Sequence, residues 1–132
     1  MHFIFYRLQD GQNWLAKNGD IVDILVDKAT MSNSLPSLAI LRNISFSSSG
    51  RSKLLMKNSF VILMSQCLVQ GHGTKLRLCL TSLWALAANC HKAKVVLARQ
   101  GIPQQLENLQ NCENIDAEDR SLLSTTLCAV SL

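Results

Sequence analysis

Three short segments of this chain end in the same way. Leu15-Ala16-Lys17-Asn18-Gly19, Leu55-Met56-Lys57-Asn58-Ser59 and Leu97-Ala98-Arg99-Gln100-Gly101 begin 40 and 42 residues apart. Each is followed by an apolar run with helical spacing: Ile21 to Val26, Val61 to Leu68 and Ile102 to Leu109. A longer segment, Ser37-Leu38-Ala39-Ile40-Leu41, matches Ser82-Leu83-Trp84-Ala85-Leu86 at an offset of 45. A chain that repeats at this interval cannot bury its apolar faces within one unit, so neighbouring units must stack to make the core.

The repeat fixes the expected class. A short, a medium and a long helix in a period near 42 residues is the spacing of armadillo and HEAT units. The expected fold is all-α, an armadillo/HEAT-like right-handed helical solenoid of about one full repeat, Gly50 to Asn89, flanked by partial repeats. Residues 1–12 stand as an N-terminal segment, 13–112 hold the repeats, and 113–132 form an acidic tail carrying one more helix over Ala117 to Ala129.

Local signals place the helices. Ser34 is a cap before Pro36, whose missing N–H costs nothing in a first turn. Gly50, after Ser47-Ser48-Ser49, reads as the stop of that helix. Asn58-Ser59 divides a short helix over Ser52 to Lys57 from one over Phe60 to Val69, with Ser59 as cap. Thr74 follows the Gly71-His72-Gly73 break and caps a helix reaching about Asn89. His91 to Arg99 is the next, ended by Gly101, and Pro103 sits in the first turn of another. Leu38, Leu41, Leu80, Leu83 and Trp84 fall on the apolar stripes and are the predicted core. Leu15, Ile21, Ile24 and Leu25 form an apolar face left open at the unfinished first repeat. It predicts self-association of the isolated chain.

Charge is unevenly placed. Residues 1–102 carry twelve Lys and Arg against four Asp, and residues 103–132 carry one Arg against five carboxylates. No Asp or Glu occurs between Asp27 and Glu107. In a stacked repeat Arg51 and Lys53 align with Lys92 and Lys94 along one edge, the first candidate for a partner surface. Two readings of that edge stay open: a protein-binding face, or a basic helical-repeat module that binds nucleic acid or an acidic partner.

Reactive chemistry finds little support. Cys67, His72, Cys79, Cys90 and His91 lack the paired Cys-x-x-Cys spacing of a structural zinc site, and the cysteines read as small core hydrophobes. Gly71-His72-Gly73-Thr74-Lys75 lacks the spacing of a phosphate loop, and no nucleophile elbow occurs. The expectation is a non-enzyme without metal or cofactor. No apolar window reaches the roughly 18 residues of a membrane span. Five cysteines, an odd number without regular spacing, fit a reducing compartment better than a disulfide framework.

The stretches from Ser34-Leu35-Pro36-Ser37-Leu38-Ala39-Ile40-Leu41-Arg42-Asn43-Ile44-Ser45-Phe46 and Leu83-Trp84-Ala85-Leu86-Ala87-Ala88-Asn89-Cys90-His91-Lys92-Ala93-Lys94 resemble armadillo-repeat sequence. More closely, they resemble the C-terminal region of the rotatin family, very large armadillo-like proteins of centrioles and ciliary basal bodies. The resemblance covers Asn13 to Leu106. It implies a protein-binding scaffold in centriole and basal-body assembly, ciliogenesis and left–right axis specification. The place it implies is the cytoplasm and cytoskeleton, at the centrosome, centriole and cilium basal body, with centriolar or basal-body proteins as partners. Armadillo proteins often clamp extended peptides with asparagines on the long third helix of each unit, and Asn43 holds the matching position here. In the next unit Ala88 takes that position. Asn89 is displaced by about 100° around the helix, so a single rung of the ladder is present.

Overall fold

The computed structural model describes residues 19–132. The segment 1–12 and the repeat end at Leu15 to Asn18 lie outside the described residues. The described chain forms eight helices and no strand: α1 (Gly19–Met31), α2 (Leu35–Ile44), α3 (Ser48–Met56), α4 (Asn58–Gln70), α5 (Gly73–Ala87), α6 (His91–Arg99), α7 (Ile102–Gln110) and α8 (Ala117–Val130).

Short polar side chains set several of the starts. Ser34 Oγ accepts from Ser37 N–H at 3.3 Å to cap α2, with Pro36 in the first turn. Ser47 Oγ accepts from Gly50 N–H at 3.0 Å to cap α3. Asp116 accepts from Asp119 N–H at 2.8 Å to cap α8, whose first turn also carries Glu118 and Asp119 against the positive helix end. Asn33, Asn89 and Gly101 hold left-handed backbone at the α1–α2, α5–α6 and α6–α7 joints, a conformation that asparagine and glycine accept most readily.

Three local expectations are corrected. Ser59 and Thr74 lie inside the first turns of α4 and α5, and the capping positions, Lys57 and His72, make no side-chain cap bond. Gly50 does not stop α2, which ends at Ile44. It lies inside α3, which therefore starts earlier than Ser52.

Packing repeats with the sequence. α1 packs on α4 and α4 on α7, while α2 packs on α5 and α5 on α8. Each helix of these two rows thus meets the helix three elements further on, and α3 and α6 pack at the joints against α4 and against α5 and α7. Side-chain bonds between units recur at the same interval. Lys75 Nζ donates to Asn33 Oδ1 (2.8 Å), Arg77 Nε to Asp119 Oδ1 (2.7 Å) and Gln100 Nε2 to Asn58 Oδ1 (3.5 Å), all 42 residues apart. Ser65 Oγ donates to Gln105 Oε1 at 3.0 Å across 40 residues. Period-related positions become neighbours because the units stack. The architecture is an all-α, solenoid-like stack of helix layers.

The core runs through both rows. Leu38, Leu41, Leu80 and Leu83 are buried as expected, together with Ile44, Leu54, Phe60, Met64, Leu86, Leu97 and Leu106. Trp84 is a correction: it is 38% exposed. Of the apolar face expected at the first unit, Leu25 is in the core, Ile21 is half-buried, and Ile24 is 52% exposed. Leu15 lies outside the described residues.

The acidic segment carries α8, which packs along α5, α6 and α7. Thr126, fully buried, shares its hydroxyl between Leu80 O (3.3 Å) and Leu122 O (2.9 Å). Arg120 ties the preceding loop down by donating to Gln110 O and Cys112 O. Asp119 is buried at the α5 contact and takes Arg77. That pairing raises the Arg77 pKa, chiefly through the hydrogen bond. A folded-state pKa above the unfolded one means a contribution present at neutral pH and lost only in strong alkali.

Candidate functional site

The exposure of Trp84 follows from helix geometry. Leu76, Cys79, Leu80, Leu83, Leu86 and Ala87 are buried on α5. Trp84 is one residue past the centre of that stripe, about 100° around the helix. At that angle it joins Arg77, Thr81 and Ala88, which recur at spacings of four, three and four and form a strip that is exposed or half-buried. Leu78, Ser82 and Ala85 are buried as well, so beyond its first turn α5 is covered on most of its circumference and opens along this strip.

Trp84 is joined there by Phe46, which is 42% exposed in the turn between α2 and α3. Their ring centroids are 6.3 Å apart with planes inclined at 56°, a tilted arrangement favoured by the ring quadrupoles. The placing of Trp84 in the predicted core is therefore corrected, and the basic region carries two exposed aromatics. Sequence reasoning placed the tryptophan on the core stripe and passed over Phe46. The available signal was that Leu83 and Trp84 are adjacent, so both cannot lie at the centre of one helical stripe.

Beside Trp84 an open groove of about 640 Å³ runs between α5 and α8, lined by Ala88 and Asn89 on one side and Ser124, Thr125, Cys128 and Ala129 on the other, with Lys94 of α6 at its edge. The small side chains of Ala88, Cys128 and Ala129 are what leave the space open.

The predicted partner residues distribute around this feature. Arg51, half-buried on α3, donates from Nη1 to Phe46 O at 3.4 Å. Lys94 lines the groove. Lys92 is exposed in the first turn of α6, about 200° around that helix from Lys94, and Lys53 is half-buried in the last turn of α3. Asn43 is half-buried on α2, and its Oδ1 accepts from Arg42 Nη2 at 3.4 Å. Arg51 and Lys94 are thus linked to the aromatic pair. Lys53 and Lys92 do not line the groove, and α3 and α6 share no extensive packing.

Four of the cations on this side make no ion pair within the described residues. The ion pairs there are Lys57 with Asp23 (2.8 Å) and Arg77 with Asp119 (2.7 Å) and Asp116 (3.8 Å). Arg51, Lys53, Lys92 and Lys94 pair with no described carboxylate. His91, Lys92 and Lys94 stand at the start of α6, which has no acidic residue in its first turn and no side-chain cap. Cations there oppose the helix dipole.

Other features offer no reactive constellation. Among the described residues no three His, Cys, Asp or Glu side chains group closely enough to hold a metal ion. The open hollow at Gly71 to Lys75 contains a lysine already committed to Asn33. No described helix is long and apolar enough to cross a membrane. Cys67 and Cys79 are buried where α4 meets α5, and Cys79 Sγ donates to Met64 O at 3.5 Å. Burial pushes the Cys79 thiol well up, and its bond with Cys67 acts in the same direction. Titration with a coloured disulfide reagent should modify the exposed Cys112 and Cys128 first, and Cys67 and Cys79 only in denaturant. Rapid modification of Cys79 in the folded chain would contradict the α4–α5 packing.

No protein-family model, no curated protein and no solved structure matches this chain.

Proposed function

We propose that this chain is a non-enzymatic, protein-binding helical-repeat scaffold of armadillo type, acting at the centriole and ciliary basal body. The observation that carries the binding role is the exposed Phe46–Trp84 pair. Trp84 on the open strip of α5 and Phe46 in the α2–α3 turn are both exposed and in contact with each other. Exposed aromatics beside a groove are the usual anchors of protein interfaces. The scaffold class is supported by the three-helix recurrence of the packing, which makes extended surface without a reactive group. The armadillo type and the location are supported by the resemblance of the Ser34 to Phe46 and Leu83 to Lys94 stretches to the rotatin family.

Proximity labelling of the tagged chain in ciliated cells tests this reading, run beside a Phe46→Ser, Trp84→Ser double variant. The expected result is enrichment of centriolar proteins that falls in the variant while helicity is kept. Diffuse labelling for both forms would remove the location. Centriolar enrichment unchanged in the variant would remove the aromatic pair as the contact.

A further inference from the structure

We infer that the α5–α8 groove beside Trp84 docks an acidic segment of a partner protein that carries an apolar anchor side chain. This deepens the scaffold reading and rests on it. The first support is charge. Ten Lys and Arg and no carboxylate side chain occur in residues 28–106. Of these, Lys57 pairs with Asp23 and Arg77 with Asp119, while Lys94 pairs with no described carboxylate. The nearby acids Asp116 and Asp119 are committed to Arg77 and to the cap of α8. Glu118 lies in the first turn of α8, away from the Ser124 to Ala129 part that forms the groove. What faces the groove is Lys94, with His91 one turn before it at the positive end of α6, while Lys92 lies about 200° around that helix from Lys94.

The second support is shape and polarity. The groove has an aromatic wall at Trp84, a floor of small side chains, and the hydroxyls of Ser124 and Thr125. That combination accommodates an apolar side chain in the space and polar backbone at the rim. Both α5 and α8 end beside the groove, at Ala87 and Val130. Helix C-termini present carbonyls that attract N–H groups and disfavour anions. The partner's backbone N–H groups are therefore drawn toward the α5 and α8 ends, and its carboxylates toward α6. A nucleic acid would exploit the cations but needs a row of phosphate contacts. Here a single lysine lines an otherwise uncharged groove, which favours the protein segment.

The test uses the full chain and fluorescence anisotropy with labelled synthetic probes. They are a short peptide of alternating glutamate and leucine, the same peptide with serine for leucine, the same with lysine for glutamate, and a single-stranded oligodeoxynucleotide. The Glu/Leu peptide should bind at least about tenfold more tightly than each of the other three. Trp84→Ser and Lys94→Glu, each checked for unchanged helicity, should each weaken it about tenfold. Failure of the Glu/Leu peptide to bind, or binding indifferent to Trp84→Ser, overturns the inference. So does preferential binding of the oligonucleotide, with a steep salt dependence that Lys94→Glu reduces and Trp84→Ser does not. Sedimentation showing a dimer that Trp84→Ser dissolves would also overturn it, because the occupant would then be a second copy of this chain. Centriolar labelling that survives while the peptide arm fails leaves the scaffold reading standing without this occupant. Peptide binding without centriolar labelling leaves the groove assignment standing without the location.

Discussion

Replacing Leu83 with alanine should lower the unfolding free energy by about 3 kcal/mol, and replacing its neighbour Trp84 by only about 1 kcal/mol. Leu83 is fully buried where α5 meets the helices of both rows. Truncation there removes apolar area and leaves a cavity, since packed helices relax only partly around a lost side chain. Trp84 is the larger residue, and on size alone it would be expected to cost more. It is exposed and its ring contact is with the equally exposed Phe46, so its loss opens no enclosed cavity. Urea unfolding followed by far-ultraviolet circular dichroism measures both. The reverse order of cost would mean that Trp84 is buried between layers, and the binding face described above would not exist.

Gly50→Ala should cost about 2 kcal/mol or more, an unusual penalty for a substitution that normally favours a helix. A methyl group at this position would collide with the backbone carbonyl of Ile44 and stand 2.6 Å from Ser47 Oγ and 2.7 Å from Ile44 Cγ2. Ser47 Oγ is the cap of α3 and also donates to Ile44 O. Relieving the collision therefore means moving the whole α2–α3 turn, including Phe46. The same variant should disturb the Phe46–Trp84 pair, so thermal melting and peptide binding should change together. An alanine variant as stable as the parent would show that α3 starts beyond residue 50.

The repeat interval, the helical class and most helix positions were legible in the sequence. These depend on near neighbours along the chain: a serine three residues before the N–H it caps, a proline in a first turn, a glycine at a left-handed joint. Ser34, Pro36, His91 to Arg99, Gly101 and Pro103 fall as their local chemistry dictates. Leu38, Leu41, Leu80 and Leu83 were readable as core because a 3.6-residue period repeats along one element. Gly50 was misread because a glycine after three serines has the same local signature whether it ends one helix or begins the next. Only the approach of the Ile44 carbonyl decides between them.

The face of α5 that stays open was decided by tertiary structure. Leu83 and Trp84 are both large and apolar, and periodicity alone permits either to lead the buried stripe. Which one does depends on where α2, α4 and α8 come to rest against α5. The contacts with α2 and α8 join residues about a full repeat apart. The pairing of Arg77 with Asp119 across 42 residues, the meeting of Phe46 with Trp84 and the groove beside Lys94 have the same origin. The sequence by itself determined that units of this length stack. Local patterns carry the strength of each apolar face but not the direction from which a distant helix covers it, and that direction is set only when the units pack.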